Sequence, residues 1–181
     1  MQTVFNIADQ LKREYDFFIV TRDCAGKSDQ TPFIHAARDK WNARPEADIY
    51  YASPAKMNSR TFGSLIKEVS PNFIYLNSVF SYVCVKFLFA RRRARLRDIP
   101  LIVAPSGEFS PEALRLKSAK KQPFLTMARM AQLFEQVVWK AANEAEKADI
   151  LNVVGPGQPI FITAELVPNE ILKGSTLFLS S

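Results

Sequence analysis

Apolar residues fall along this chain in short runs that alternate between continuous burial and a period near 3.6. Val4, Ile7, Ala8 and Leu11 share one helical face, which predicts a helix over residues 1–13. Residues 16–20 read as a strand, and residues 24–46 carry Gly, Pro, Asp and Asn without a period and read as a long loop. Asp48–Ala52 reads as the next strand, followed by a short amphipathic helix carrying Phe62, Leu65, Ile66 and Val69. A third strand at 72–76 precedes a long helix over 80–97, and Leu101–Ala104 is a buried strand bounded by prolines. Ser110-Pro111-Glu112 starts a helix: a hydroxyl to cap free amides, proline at the first position, an acid near the positive end of the dipole. Apolar residues sit at nearly every angle over 124–134, predicting a largely buried helix. Residues 136–141 predict a strand, and Asn143-Glu144-Ala145-Glu146 predicts a capping box for a helix that ends near Gly155. Strands at 159–163 and 176–179 flank a linker. This alternation predicts an α/β protein with a doubly wound, mainly parallel sheet flanked by helices.

With 181 residues the chain suffices for one well-buried domain and is short for two. Its net charge of +6 favours an anionic partner. Cys24 and Cys84 are too few for a disulfide framework, so reduced thiols and a cytoplasmic location are expected. No run is long and apolar enough to span a membrane, so any membrane contact is expected to be peripheral.

In a parallel sheet the carboxyl ends of the strands share one edge, where open α/β sheets build ligand sites. Polar clusters stand at each predicted strand end: Thr21-Arg22-Asp23, Ser53, Asn77-Ser78, Ser106-Gly107-Glu108 and Ala142-Asn143. Together they would form a rim of hydroxyls, amides and carboxylates suited to sugar hydroxyls. Each alone has an ordinary explanation, because loops are polar. His35, the single histidine, lies in the long loop and is read as incidental; with two distant cysteines it offers no metal-ligand spacing. Neither a G-x-x-x-x-G-K-[ST] loop nor a G-x-G-x-x-G turn is present.

The segment Ala-Pro-Ser-Gly-Glu-Phe-Ser-Pro-Glu-Ala-Leu at 104–114, with Lys117, Lys120 and Lys121 behind it, resembles the A-P-R-G-E-[FL]-S-x-x-A-L…K…K-K segment of bacterial family 4 glycosyltransferases. Phe-Ile-Val-Thr-Arg-Asp at 18–23, Tyr-Ala-Ser-Pro at 51–54, Ile-Tyr-Leu-Asn-Ser at 74–78 and Val-Trp-Lys-Ala-Ala-Asn-Glu at 138–144 match further pieces in the family's order. The chain departs at Ser106, where relatives carry Arg, and at Lys140, where many carry His. The resemblance implies two facing Rossmann-like domains, of which residues 1–164 would be the acceptor-side one, lacking the family's first strand. Residues 165–175 would be a linker and 176–181 the remnant of the donor-binding domain's opening strand. It further implies retaining transfer from a nucleotide sugar to a glycan or lipid-linked acceptor in polysaccharide synthesis, without a metal or other cofactor. Residues 1–181 alone are expected to be inactive. The substrate-binding positions would be Arg22, Ser53, Asn77, Ser78, Ser106, Gly107, Glu108 and Asn143, with Glu108 the first choice. The final strand, around 177–179, is expected to pair in the main sheet of its own chain or of a strand-exchanged homodimer.

Lys86, Arg91, Arg92, Arg93, Arg95 and Arg97 form a basic stretch with Phe and Leu interleaved. It reads either as the solvated end of a core helix or as a docking face for an anionic membrane at the inner leaflet. A non-catalytic basic module on acidic lipid or nucleic acid is the alternative to the transferase reading. Nucleic acid is disfavoured, since no stacking platform or helix-turn-helix pattern accompanies the charge.

Overall fold

The computed structural model describes residues 2–24, 33, 36–93, 96–116 and 118–164. The chain divides into two compact units, Met1–Lys56 and Met57–Ala164, each with a sheet of its own. His35, Arg95, Lys117 and the expected strand around 177–179 lie outside the described residues.

In the first unit the amphipathic helix α1 (Gln2–Leu11) precedes three strands, β1 (Phe18–Arg22), β2 (Trp41–Ala43) and β3 (Asp48–Ala52). β3 is central, with β1 parallel on one side and β2 antiparallel on the other. Ile49, Tyr50 and Ala52 are buried, so β3 is covered on both faces, as its apolar composition requires. β2 falls inside the segment read from sequence as loop. Its three residues carry no period; Trp41 makes it a strand by packing edge-on against Tyr50 at 5.3 Å and Phe18 at 5.6 Å.

The second unit runs α2 (Ser59–Val69), β4 (Ile74–Asn77), α3 (Tyr82–Arg93), β5 (Leu101–Ala104), α4 (Pro111–Arg115), α5 (Ser118–Met130), β6 (Val137–Ala141), α6 (Glu144–Val154) and β7 (Ile160–Ile162). Its sheet has the order β4-β5-β6-β7 with every pair parallel, so all four carboxyl ends face one edge. The fold is therefore α/β with a four-stranded parallel sheet flanked by helices. Leu101, Val103, Val137 and Trp139 are fully buried, and Trp139 packs against Phe134 at 5.3 Å and Phe109 at 5.8 Å. Phe62 of α2 meets Phe87 of α3 edge-on at 5.5 Å.

Two helices differ from their sequence reading. α5 begins at Ser118 and buries only Leu125 and Ala128, while Met130 is 82 % exposed. Apolar character all round does not bury a helix that offers the sheet a single narrow stripe. The chain then turns through Gln132 (φ 51°) and Gln136 (φ 55°) into β6. α3 is described as far as Arg93, and residues 96 and 97 lie in a turn where the sequence predicted helix; Arg91 is only 2 % exposed. The Arg91 guanidinium donates to the carbonyls of Glu135 at 2.9 Å and of Gln136 and Arg97 at 3.5 Å. Burial, with the Arg97 cation nearby, lowers its pKa from the ordinary guanidinium value. Arg91 thus ties the end of α3 to the turn before β6.

Replacing Arg91 with Ala strips donors from these carbonyls and opens a cavity, so a loss of about 2–4 kcal/mol is expected in urea unfolding. Arg92→Ala and Arg93→Ala, at exposed positions, are expected to stay within about 0.5 kcal/mol.

Candidate functional site

The carboxyl edge of the second unit's sheet is built from the turns after β4, β5 and β6. A parallel ladder ends there, and the amides of the next few residues need new acceptors. After β5, Ser106 (φ 49°) and Gly107 (φ 77°) take left-handed conformations, and the Glu108 amide closes the turn onto the Pro105 carbonyl at 3.1 Å. Ser106 and Gly107 are exposed.

Glu108 reaches from this turn to the one after β4. Its Oε1 accepts from the Ser78 hydroxyl at 2.8 Å, and its Oε2 from the amides of Val79 at 2.6 Å and Phe80 at 3.3 Å. Ser78 has φ 149°, a backbone conformation costly for a residue with a Cβ, and the carboxylate holds it there. The Ser78 hydroxyl also accepts from the Ser81 amide at 2.9 Å, and the Ser81 hydroxyl caps α3 by accepting from the Cys84 amide at 3.2 Å.

Glu146 does the same one strand further along. Asn143 caps α6, its side chain accepting from the Glu146 amide at 2.9 Å, as the capping-box pattern predicts. The Glu146 carboxylate does not return to Asn143. Oε2 accepts from the Ala142 amide at 2.7 Å, and Oε1 crosses to the Gly107 amide at 2.7 Å. A third link runs from the Ser106 hydroxyl to Asn77 Oδ1 at 3.3 Å.

Of the sequence-selected positions, Asn77, Ser78, Ser106, Gly107, Glu108 and Asn143 therefore share one edge. Glu108 accepts three internal hydrogen bonds, and Asn143 is a helix cap. Exposed Ser106, hydrogen-bonded to the partly buried Asn77, is a polar pair that this edge offers to solvent beside exposed Asn143. Glu146 was missed as a site-building residue. Its capping-box position marked it as local, and nothing in the sequence signals the bond to Gly107, 39 residues away.

Arg22 and Ser53 belong to the first unit, at the ends of the paired strands β1 and β3. Buried Ser53 gives its amide and hydroxyl to the Asp39 carboxylate at 2.8 and 2.9 Å, and Arg22 donates to Cys24 Sγ at 3.1 Å. Arg38 pairs with the buried Asp23 at 2.6 Å. Asp39, in the loop without a period, left no sequence signal.

The basic stretch is divided by the fold. Arg91 is buried, and Phe87 and Leu88 are core residues, so neither the arginine nor these apolar side chains can meet a membrane. Arg97 pairs with Glu135 at 2.5 Å. Lys86, Arg92 and Arg93 remain exposed. Among the described residues no helix is long and apolar enough to cross a membrane, and no group of three or more His, Cys, Asp or Glu could hold a metal. No family model matches the chain, and neither curated proteins nor solved structures provide a match to it.

Under the edge, burial and the Glu108 charge push the Cys84 thiol up to about 11, against the opposing Ser81 hydrogen bond. The unfolded chain releases this proton earlier, near the ordinary thiol value of 9.0, so stability is full below that pH and falls as pH rises toward 11. Wild type is expected to lose on the order of 3 kcal/mol more than Cys84→Ala over that window, measured by urea unfolding at stepped pH. Glu108→Gln turns an acceptor into a donor facing amides. It is expected to cost about 2–4 kcal/mol and to speed hydrogen exchange at Val79 and Phe80.

Proposed function

We propose that the edge formed by the turns after β4, β5 and β6 holds the acceptor sugar of a glycosyl transfer, a glycan or a lipid-linked saccharide. The reading rests first on the exposed Ser106 hydroxyl and its Asn77 partner at the carboxyl edge of a parallel sheet. Both nearby carboxylates are held by internal amide and hydroxyl donors, so what faces a ligand is rigid, offers hydroxyl and amide groups, and keeps the negative charge of two fixed carboxylates. That chemistry suits a polyhydroxylated molecule better than a phosphate. The ordered likeness to family 4 glycosyltransferases supplies the reaction class. In that family a nucleotide-sugar donor is carried by a second domain, and fixed cations and amides stabilise the departing diphosphate. Lys86, Arg92 and Arg93 would set a lipid-linked acceptor near an anionic surface.

Saturation-transfer NMR with methyl glucoside, methyl N-acetylglucosaminide and methyl mannoside tests the reading. Transfer to the ring protons of at least one sugar is expected, reduced at least fivefold in the doubly substituted Asn77→Ala, Ser106→Ala chain. Absence of transfer from every sugar, or transfer that the double variant leaves unchanged, overturns the acceptor site. Residues 1–181 alone are expected to release no nucleoside diphosphate from a nucleotide sugar.

A further inference from the structure

A second concave feature lies on the helical flank of the same unit, beginning at Phe109 just beyond the turn after β5. α4, α5 and α6 line an open groove of about 390 Å³, a volume within the range of small-molecule sites. Its floor is apolar: Phe109, Leu125 and Val153 line it and are buried. Pro111 and Leu114 of α4 extend that surface toward solvent.

Two cations stand on the walls. Arg115, the last residue of α4, is exposed and has no hydrogen-bond or ion-pair partner among the described residues. Arg129 of α5 donates from one terminal nitrogen to the Val153 carbonyl, which fixes the side chain against α6 and leaves the rest of its donor fork unassigned. Across from them α6 presents Asp149 and Asn152. Asp149 forms an ion pair with neither arginine, so the groove's two cations and one acid leave a net charge of +1. Fork-shaped guanidinium donors match the oxygens of a carboxylate or a phosphate, and a buried aromatic and aliphatic floor matches a hydrocarbon body.

We propose that this groove binds a small amphiphile, an anionic head on Arg115 and Arg129 and an apolar body over Phe109, Leu125 and Val153. The groove shares no lining residue with the proposed sugar edge and does not depend on that reading. Its ligand class is a phosphate monoester or carboxylate with a short alkyl or aryl body. A free metabolite and the head region of an acidic lipid share this chemistry.

The whole chain, labelled with ¹⁵N, is titrated with octyl phosphate below its micelle concentration, and in parallel with octanoate, octanol and inorganic phosphate. Saturable shifts are expected at the amides of Ser118, Leu125 and Val153 with octyl phosphate or octanoate. Octanol and inorganic phosphate should bind at least tenfold more weakly. Arg115→Gln, at an exposed position free of internal partners, should weaken octyl phosphate about tenfold while the rest of the spectrum stays native. Equal binding of octanol removes the anion site, equal binding of inorganic phosphate removes the apolar floor, and an unchanged affinity in Arg115→Gln removes the groove; any of these overturns the proposal. Flotation with phosphatidylglycerol vesicles separates the sources. Arg115-dependent capture assigns a lipid head, and octyl phosphate binding without capture assigns a free amphiphile, each supporting the groove.

Discussion

When a buried parallel strand ends, its ladder ends with it, and the amides of the following turn must find an acceptor or forfeit one hydrogen bond each. In the second unit two glutamates solve this problem for three adjacent strand ends. Glu108 collects donors from the turn after β4, and Glu146 collects one from the turn after β5 and one from its own. Each carboxylate also reaches across to a neighbouring turn, so the turns cannot move independently. Hydrogen bonds to a charged acceptor are stronger than neutral ones, and here they cross between segments far apart in sequence.

Several features follow from these links. Ser78 keeps a costly backbone angle because its hydroxyl and the next two amides are held by one carboxylate. α3 begins where it does because Ser78 and Ser81 pass acceptors along its first turn. Lys121 secures the α4–α5 corner beside them, donating to the Ala113 carbonyl at 2.5 Å with its ammonium 4.8 Å from the Phe80 ring centre. The edge that results is fixed, its two carboxylates held by internal donors, and Ser106 stands on it with its hydroxyl turned to Asn77.

Charge is handled differently elsewhere in the unit. The positive side chains that look continuous in sequence separate by helical angle into Arg91, which is buried on carbonyls, and exposed Arg92 and Arg93. The arginines of the helical flank are instead drawn from α4 and α5, 14 positions apart, and only the packing against α6 brings them to one groove. A cluster in sequence and a cluster in space are therefore different sets of residues.

The alternation of short apolar runs with helical periods was enough to fix the α/β class, the strands β1 and β3 to β7 to within a few residues, and the caps at Ser110 and Asn143. These features depend on neighbours a few positions apart, which the sequence displays directly. β2 was not legible, because three residues become a strand only when β3 offers them an edge and Tyr50 offers Trp41 a ring. The depth of α5 was not legible either, since apolar content does not say which stripe meets the sheet. The polar strand ends were visible as a group, but their roles were not. Whether Glu108 faces a ligand or its own chain depends on which donors stand within hydrogen-bond reach, and those lie 28 to 30 residues away. Sequence spacing carries information over a turn or two of helix; the partners of a carboxylate at a sheet edge are set by strand order, which only the folded chain decides.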